Sequence, residues 1–201
     1  SGAALAKEKI DFMFPAPVDG KLTMEMTRVG IGLDEAVLDS IKAEVLPALA
    51  EADEACRASV GKKDLGKLYK LSEPARMQGF NPGSSQQLQF LLFKVLGFKP
   101  EKASRTTGAP SADEGTIAAL AEKFSDFPLW EPLLRRRELD KIRGTYVEGL
   151  RKRRCTHCGR LHTNLKQHGA RTGRYSSADP DLQNIPVQSA LGRRIQEALT
   201  A

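Results

Sequence analysis

Four side chains that could bind a metal ion lie close together in the second half of the chain. Cys155 and Cys158 form a CxxC pair, and His162 and His168 follow them. Cysteine thiolates at this spacing, together with imidazole nitrogens, are ligands of tetrahedral zinc, which needs four of them. The same pattern fits a tight turn with two free thiols, or a transient disulfide. The sequence therefore leaves zinc, a disulfide and an unliganded turn open at Cys155, Cys158 and His162.

A strongly basic segment surrounds these residues. The chain carries 31 Lys and Arg against 25 Asp and Glu, a formal net charge of +6. Residues 135–174 alone hold 13 basic and 3 acidic side chains. A basic run is often only a solvated face, but one this uneven favours a polyanionic partner such as nucleic acid.

Length and composition indicate a folded, soluble protein of one or two domains. The chain has 201 residues, of which 40% are hydrophobic and 28% charged. Its longest apolar stretches, such as residues 90–93, are far too short to span a membrane. The first residues lack an apolar core and an initiator Met, so we interpret them as a tag remnant or an internal start rather than a signal peptide. Three cysteines are too few for a disulfide framework and favour a reducing cytoplasm.

Hydrophobic periodicity predicts a mainly helical protein. Residues 1–32 contain Pro and Gly breakers, and we expect an irregular or extended lead-in there. Asp34 is expected to cap a helix that runs to about Val60 and that Pro47 kinks or splits. A polar connection with at most a short helical turn is expected over residues 61–80.

Capping patterns predict the helices that follow. A Ser-x-x-Gln box begins at Ser84 and a Ser-x-x-Glu box at Ser111, each before an apolar stripe. A longer helix is expected over about residues 129–153. Alternation over residues 160–165 predicts a strand, whereas residues 169–187 have the composition of a loop.

The most specific string in the chain is TGRYSSADPDLQNIP, which ends at Pro186 and is followed by GRRI. It resembles the TGR-x-SS-x-x-P-x-LQNIP signature of family A DNA polymerases, the class of bacterial DNA polymerase I. Upstream, FNPGSSQQLQFLLFKVLG resembles the segment leading into the thumb of that family, and RRRELDKIRGTYVEGL its returning thumb helix. GRLHT is similar to the hairpin that joins thumb to palm. The resemblance covers about residues 22–201.

The resemblance implies a mainly α (α+β) fold. Long antiparallel thumb helices would lead through a small β-hairpin into the start of a polymerase palm. It divides the chain into a lead-in (1–32), palm-side helices leading into the thumb (33–97), the thumb tip and long thumb helix (98–154), and the hairpin with the N-terminal part of the palm (155–201).

The resemblance also assigns DNA contacts. Arg174 and Gln183 occupy positions that reach the minor groove near the primer end, and Asn184 lies beside them on the template side. Minor-groove acceptors occur at every correctly paired step, so such donors hold any matched pair. Further duplex contacts, many of them to phosphates, are expected at Arg137, Lys141 and Arg171, and at the thumb tip at Lys102, Arg105, Thr106 and Thr107.

Catalytic groups are expected to lie outside this stretch. Family A enzymes use two carboxylates that bridge two divalent metals, here expected to be Mg²⁺, and the first would follow Ala201. The complete enzyme would therefore need further palm and fingers, on the same or a separate chain, to use deoxynucleoside triphosphates, and this chain alone is expected to be inactive. Asp179 and Asp181 are predicted to form turns instead. Gln188 stands where the family usually has an Arg near the incoming nucleotide, and Arg171 is an additional cation.

A second interpretation is a stand-alone, non-catalytic DNA-binding or assembly module, zinc-stabilised or one part of a split polymerase. Under both interpretations DNA binding weakens as salt rises. We expect the protein to be located in the cytoplasm of a bacterial or phage-infected cell, and we expect no membrane partner. Cys56 is predicted to be a buried small hydrophobic residue. Trp130 and Tyr146 are predicted to pack in the core or at an interface rather than to stack on bases.

Overall fold

The computed structural model describes residues 20–100, 111–166, 176–186 and 188–200. It is mainly α with two small antiparallel two-stranded sheets, which confirms the predicted fold class. The described residues fall into two compact units: residues 44–141 form one, and the residues before and after that range form the other. The division into four consecutive segments stays a prediction.

The helices of the described ranges are α1 (Gly20–Val29), α2 (Glu35–Ala58), α3 (Lys62–Leu71), α4 (Glu73–Gln78), α5 (Ser85–Gln89), α6 (Glu114–Lys123), α7 (Trp130–Lys141), α8 (Gly149–Arg153) and α9 (Ala190–Glu197). Two π-helical stretches extend them: Phe90–Val95 continues α5, and Ile142–Glu148 joins α7 to α8. The strands are β1 (Gly32–Leu33), β2 (Asn164–Lys166), β3 (Ser176–Ala178) and β4 (Leu199–Thr200). Over these ranges, no helix has the length and apolarity that a bilayer crossing requires.

The unit of residues 44–141 has an apolar core to which successive helices contribute. Leu91 and Leu92, in the stripe that predicted the α5 region, are fully buried, as is Ile117 of α6. Cys56 of α2 is also fully buried in this core, and burial raises the pKa of its thiol to about 11. The thiol therefore stays protonated and inert near neutral pH, which confirms the prediction that it packs as a small apolar side chain.

Trp130 completes this core at the start of α7. It is 4% exposed, and its indole N–H donates to the carbonyl of Phe124 at 2.8 Å. The rings of Phe98 and Phe127 lie against it with centroids 5.5 Å away in each case. Burial on this scale confirms a packing role and leaves no open face for a nucleic-acid base.

The other unit is built around two short antiparallel pairings. β1 pairs with β4, and β2 pairs with β3 so that Leu165 lies opposite Ser177. Single bridges join Leu161, which is fully buried, to Arg154 and to Ile31. A strand was predicted over residues 160–165. The regular strand, β2, overlaps only the end of that range. β3 lies within the stretch predicted as loop, because its pairing depends on a partner distant in sequence rather than on local alternation.

Local breakers gave two wrong predictions and one that was wrong in part. α1 lies within the expected irregular lead-in of residues 1–32. α2 continues through Pro47, so the predicted split is wrong, whereas the alternative of a kink stays a prediction. α3 and α4 fill the connection expected over residues 61–80. Pro74 falls in the first turn of α4, where a missing N–H costs no helical hydrogen bond. Burial of Leu68 adds tertiary packing, which supplies most helix stability in proteins.

Two predicted helix caps are present in the structure. The Asp34 carboxylate accepts from the backbone N–H of Ala36 at 2.9 Å and begins α2 as predicted. Ser84 accepts from the backbone N–H of Gln87 at 3.3 Å. The Gln87 side chain, however, accepts from the backbone N–H of Asn81 at 2.8 Å, so the reciprocal half of the predicted box is absent.

The cap of α6 differs from the prediction by two residues. Asp113, not Ser111, is the N-cap, and its carboxylate accepts from the backbone N–H of Thr116 at 2.7 Å. Ser111 accepts instead from the N–H of Asp113 at 3.3 Å. An ionised carboxylate is a stronger acceptor than a hydroxyl and also interacts favourably with the helix dipole, so it takes the cap position.

Candidate nucleic-acid interface

Asp181 organises the loop that carries Gln183 and Asn184. Its carboxylate accepts from the Gln183 backbone N–H at 3.2 Å, from the Ser177 hydroxyl at 3.3 Å and from the side-chain amide of Asn184. A short carboxylate that accepts from backbone two residues ahead forms an Asx turn. Asp181 is thus a turn former, as predicted, and its oxygens serve the loop.

Tyr146 ties this loop to the helix behind it. The ring is 3% exposed, and its hydroxyl donates to the backbone carbonyl of Asn184. Burial raises the pKa of the Tyr146 hydroxyl, and the charge of Asp181 adds to this. With Ile185 also buried, the loop is fixed from within while the side chains of Gln183 and Asn184 remain exposed.

Backbone contacts on both sides complete the support of the loop. The Thr163 hydroxyl, which precedes β2, donates to the carbonyl of Pro180 at 2.7 Å. After the loop, a Cβ on Gly192 would lie 1.9 Å from the carbonyl oxygen of Pro186. Only glycine allows α9 to approach so closely. The glycine of the GRRI string therefore positions the loop, a role that its sequence context did not reveal.

Several predicted contact residues lie outside the described ranges and stay predictions. They are Lys102, Arg105, Thr106, Thr107, Arg171 and Arg174, and His168 among the metal candidates.

The two cations predicted on one face of α7 have different surroundings. Lys141 is exposed at the end of the helix. Arg137 is half-buried, and its guanidinium donates to the carbonyl of Ala112 at 2.5 Å. Burial lowers the pKa of this guanidinium, whereas the nearby Glu114 raises it. Arg137 thus has a structural partner already, and Lys141 is the cation of the pair that is open to a phosphate.

Arg136, the residue before Arg137 in α7, was not identified as a candidate from the sequence. It is 9% exposed and lies between Asp53 of α2, at 2.7 Å, and Asp140, at 3.4 Å. A Cβ on Gly83 would lie 2.2 Å from its guanidinium. The partner Asp53 is 83 residues away in sequence, so local spacing could not identify this contact.

The basic run of residues 151–154 is partly neutralised inside its own unit. Arg151 donates to Glu35 at 2.7 Å and to Asp39 at 2.6 Å, and Arg154 donates to Glu35 at 2.7 Å. These acids come from α2 and not from the run itself. The local charge seen in sequence therefore overstates the positive surface, because some of these cations serve the fold. Lys152 and Lys166 are exposed.

Cys155, Cys158 and His162 come together at the turn that follows α8. Their ligand atoms all lie within 4.8 Å of one another, and Cys158 Sγ is 3.0 Å from His162 Nε2. The backbone N–H of Arg160 donates to the Cys158 sulfur and holds the pKa of that exposed thiol below its usual value. Among the described residues this is the only grouping of three or more such side chains that could hold a metal ion.

Carboxylates of the described ranges form no comparable site. Asp179, whose side chain is 90% exposed, has Arg153 as its charged neighbour at 4.0 Å, and Asp181 is engaged in the loop. Two-metal catalysis needs carboxylates that converge on one point. The carboxylates of the described residues therefore do not fit a Mg²⁺ site.

Comparison with known proteins places this arrangement in context. The model of the family described as DNA polymerase family A matches residues 56–201. Three bacterial relatives align with the chain. DNA polymerase I of Pseudomonas aeruginosa is 37% identical over 175 residues, 82% of this chain, and that of Treponema pallidum is 43% identical over 122 residues, 61% of this chain. The thermostable DNA polymerase I of Thermus aquaticus is 35% identical over 178 residues, 88% of this chain.

The chain spans only a small part of the length of these relatives. It spans 19% of the Pseudomonas and Thermus proteins and 12% of the Treponema protein. A solved structure, the POL domain of Pol1 from M. smegmatis in complex with DNA primer-template and dNTP, matches 88% of this chain and 27% of its own, with a TM-score of 0.65 and 32% identity.

Proposed function

This chain belongs to DNA polymerase family A, and we propose that it holds the primer–template duplex for a DNA-directed DNA polymerase. The observation that carries the proposal is the loop of Gln183 and Asn184. Its polar side chains are exposed, while Tyr146 and Asp181 fix its backbone from within. A rigid loop with long exposed donors suits recognition of a repeating surface such as the minor groove.

We assign thumb and palm as the resemblance implies. Residues 98–154 would form the thumb tip and long thumb helix, and residues 155–201 the hairpin and the start of the palm. The similar M. smegmatis structure is a complex with DNA primer-template and dNTP, which supports DNA and nucleotide as partners of the enzyme that contains this stretch.

The loop would inspect the primer terminus. Gln183 and Arg174 donate to purine N3 and pyrimidine O2, acceptors that every correctly paired step presents in the minor groove. A mispaired terminus displaces those acceptors and loses the hydrogen bonds. Asn184, held by Asp181, lies on the template side. These hydrogen bonds do not depend on the base sequence, but they depend on the geometry of the base pair. Template-directed DNA synthesis requires both properties.

Lys141 would contact a backbone phosphate. Its exposure leaves the ammonium free to approach the duplex, and phosphate contacts set register and affinity without reading sequence. Arg137, which donates to Ala112, would act mainly by holding the helix, with its DNA contact secondary.

Family A DNA polymerases use divalent metals, and Mg²⁺ would supply activation of the primer hydroxyl and stabilisation of the leaving pyrophosphate. We propose that this stretch provides none of its ligands and does not polymerise DNA alone. Its contribution is to bind and orient the duplex.

A second candidate function is a separate, non-catalytic DNA-binding chain, either a module of its own or one part of a split polymerase. The cluster of Cys155, Cys158 and His162 is the observation that favours it, because a bound metal stabilises small units. Adding the remaining palm and fingers as a separate polypeptide tests whether the chain is a module of its own. Restored primer extension supports a polymerase segment, whether or not the natural enzyme is split, and DNA binding without restored extension supports the module.

The binding proposal is tested by salt-dependent affinity for a primer–template duplex, measured by fluorescence anisotropy. Lys141→Ala should weaken binding for every sequence and reduce the slope of log affinity against log salt by about 1. Lys70→Ala, which removes an exposed Lys from α3, is the matched control and should leave the slope unchanged. If both variants behave alike, Lys141 does not contact a phosphate; if the chain shows no salt-dependent binding, the proposed function is wrong.

A further inference from the structure

The turn between α8 and β2 has the shape of a metal-binding knuckle. Arg154 and Leu161 form an antiparallel bridge, and the Cys155 backbone N–H donates to the carbonyl of Arg160 at 2.8 Å. Gly159 has φ +71°, a left-handed conformation that favours glycine, and its N–H donates to the Cys155 carbonyl at 2.9 Å. These contacts turn the chain sharply between the two cysteines and the residues that follow.

The ligand atoms of this turn have the separations that a zinc ion needs. Zn–S bonds of about 2.3 Å and Zn–N bonds of about 2.0 Å in a tetrahedron place ligand atoms roughly 3.5–3.8 Å apart. The sulfurs of Cys155 and Cys158 and the nearest nitrogen of His162 lie within 4.8 Å of one another, and the Cys158–His162 contact is 3.0 Å. Shifts of less than about an ångström would therefore admit the ion.

His162 is oriented as a metal ligand by a second hydrogen bond. Its Nδ1 lies 2.9 Å from the carbonyl oxygen of Thr27 in α1. Since a carbonyl only accepts, Nδ1 carries a proton, and in the neutral ring Nε2, which lies 3.0 Å from Cys158 Sγ, is then the nitrogen with a free lone pair. Metal-binding histidines commonly donate their other N–H to such a carbonyl, which fixes both tautomer and ring orientation.

The surrounding backbone holds the imidazole in this position. Arg160 donates to the carbonyls of Val29 at 2.8 Å and Gly30 at 3.0 Å. A Cβ on Gly30 would lie 2.8 Å from His162 Nδ1, so residue 30 leaves just enough space for the ring. On the solvent side, Cys155 and Cys158 line a cleft of about 610 Å³, through which an ion and a further ligand can enter.

We propose that Cys155, Cys158 and His162 bind a zinc ion that pins this turn to residues 27–31. Two thiolates with one imidazole are a donor set that selects zinc over Mg²⁺ or Ca²⁺, which prefer oxygen. Within the described residues the cluster supplies three ligands, and water or a further group takes the fourth position. The ion would have a structural role, and the proposal does not depend on the proposed DNA function.

Metal analysis of the chain, purified under reducing conditions without chelator, tests the proposal. We expect about one zinc per chain in the wild type. His157→Ala removes an exposed imidazole between the two cysteines, and Cys56→Ala removes a thiol outside the cluster; both should keep the zinc. Cys155→Ser, Cys158→Ser and His162→Ala should lower zinc affinity by at least about tenfold.

Cobalt substitution of the wild-type chain keeps the test decisive if a variant fails to fold. Bound Co²⁺ should give visible absorption of tetrahedral intensity and a thiolate-to-cobalt charge-transfer band that accounts for two sulfurs. A wild-type chain that carries no zinc and gives no such spectrum in reductant overturns the proposal, as does a Cys158→Ser variant that binds zinc with the affinity of the wild type.

Discussion

Tyr146 illustrates how a single buried hydroxyl can position a surface loop. Its O–H donates to the carbonyl of Asn184, 38 residues further along the chain. The apolar spacing of the long helix predicted that the ring would be buried, and it is. The hydrogen bond could not be predicted, because the helical pattern carries no information about which loop folds back on to it.

Removing that hydroxyl should loosen the loop. Tyr146→Phe leaves the Asn184 carbonyl without its donor, and we expect the free energy of unfolding to fall by about 1 kcal/mol in urea titrations. Tyr69→Phe is the control: the Tyr69 hydroxyl makes no hydrogen bond with another described residue, so its loss should change stability by less than about 0.5 kcal/mol. Equal effects of the two substitutions would contradict the role given to Tyr146.

Cys56 makes the free energy of unfolding depend on pH in the alkaline range. Burial raises the pKa of this thiol to about 11, whereas an unfolded chain has a thiol pKa near about 8.5. Between these values the unfolded state releases a proton that the native state keeps, so the free energy of unfolding falls as pH rises.

A comparison with Cys56→Ala isolates this contribution. From pH 8 to 11 the wild type should lose on the order of 2 kcal/mol more than Cys56→Ala, measured by denaturant titration at each pH. Parallel pH profiles of the two proteins would show that the thiol titrates normally in the folded chain.

At the scale of elements, Arg136 connects two helices of one unit. It lies between Asp53 of α2 and Asp140 of α7, and Gly83 provides the space for its guanidinium. Breaking such a pair leaves a partly buried carboxylate without its partner, which costs more than the pair itself contributes.

We therefore expect Arg136→Leu to lower the free energy of unfolding by about 2–3 kcal/mol. The neighbouring Arg135→Leu removes the same charge from an exposed position and should change it by no more than about 0.5 kcal/mol. Thermal and urea unfolding of the two variants measure the difference. An Arg136→Leu protein as stable as Arg135→Leu would refute the structural role.

Elements with a strong apolar stripe were predictable, and those without one were not. α2, the α5 region and the helix over residues 129–153 follow from the spacing of their buried residues. α3 and α4 carry polar sequences and breakers, and they are stabilised by packing of a few residues such as Leu68 and Ala75. β3 forms only because β2 is available to pair with it. The local sequence pattern predicts an element that its own apolar stripe stabilises. It does not predict an element whose formation depends on contacts with residues distant in sequence.

For the whole molecule, the basic surplus predicts a polyanionic partner, but it does not identify the residues that would contact that partner. The distribution of charge along the sequence shows which segments are basic. It does not show which of their cations form ion pairs within the fold. Arg136, Arg151 and Arg154 are paired within the fold with acids from α2, so the count of basic side chains overstates how many cations are available to a polyanionic partner. The candidate DNA-contact residues could be identified only through the resemblance to family A DNA polymerases, because side chains that donate to the minor groove have no distinctive spacing in a sequence.

We propose that the loop containing Gln183, together with Arg174, contacts the minor groove at the primer terminus. This role is tested in a polymerase that contains this segment, by primer extension from matched and mismatched termini. Gln183→Ala and Arg174→Ala should each slow matched extension by a factor that corresponds to about 1–3 kcal/mol, and should narrow the ratio between matched and mismatched rates. Gln196→Ala, an exposed Gln of α9, should leave both rates unchanged. Wild-type rates on both primers for Gln183→Ala and Arg174→Ala would contradict the account.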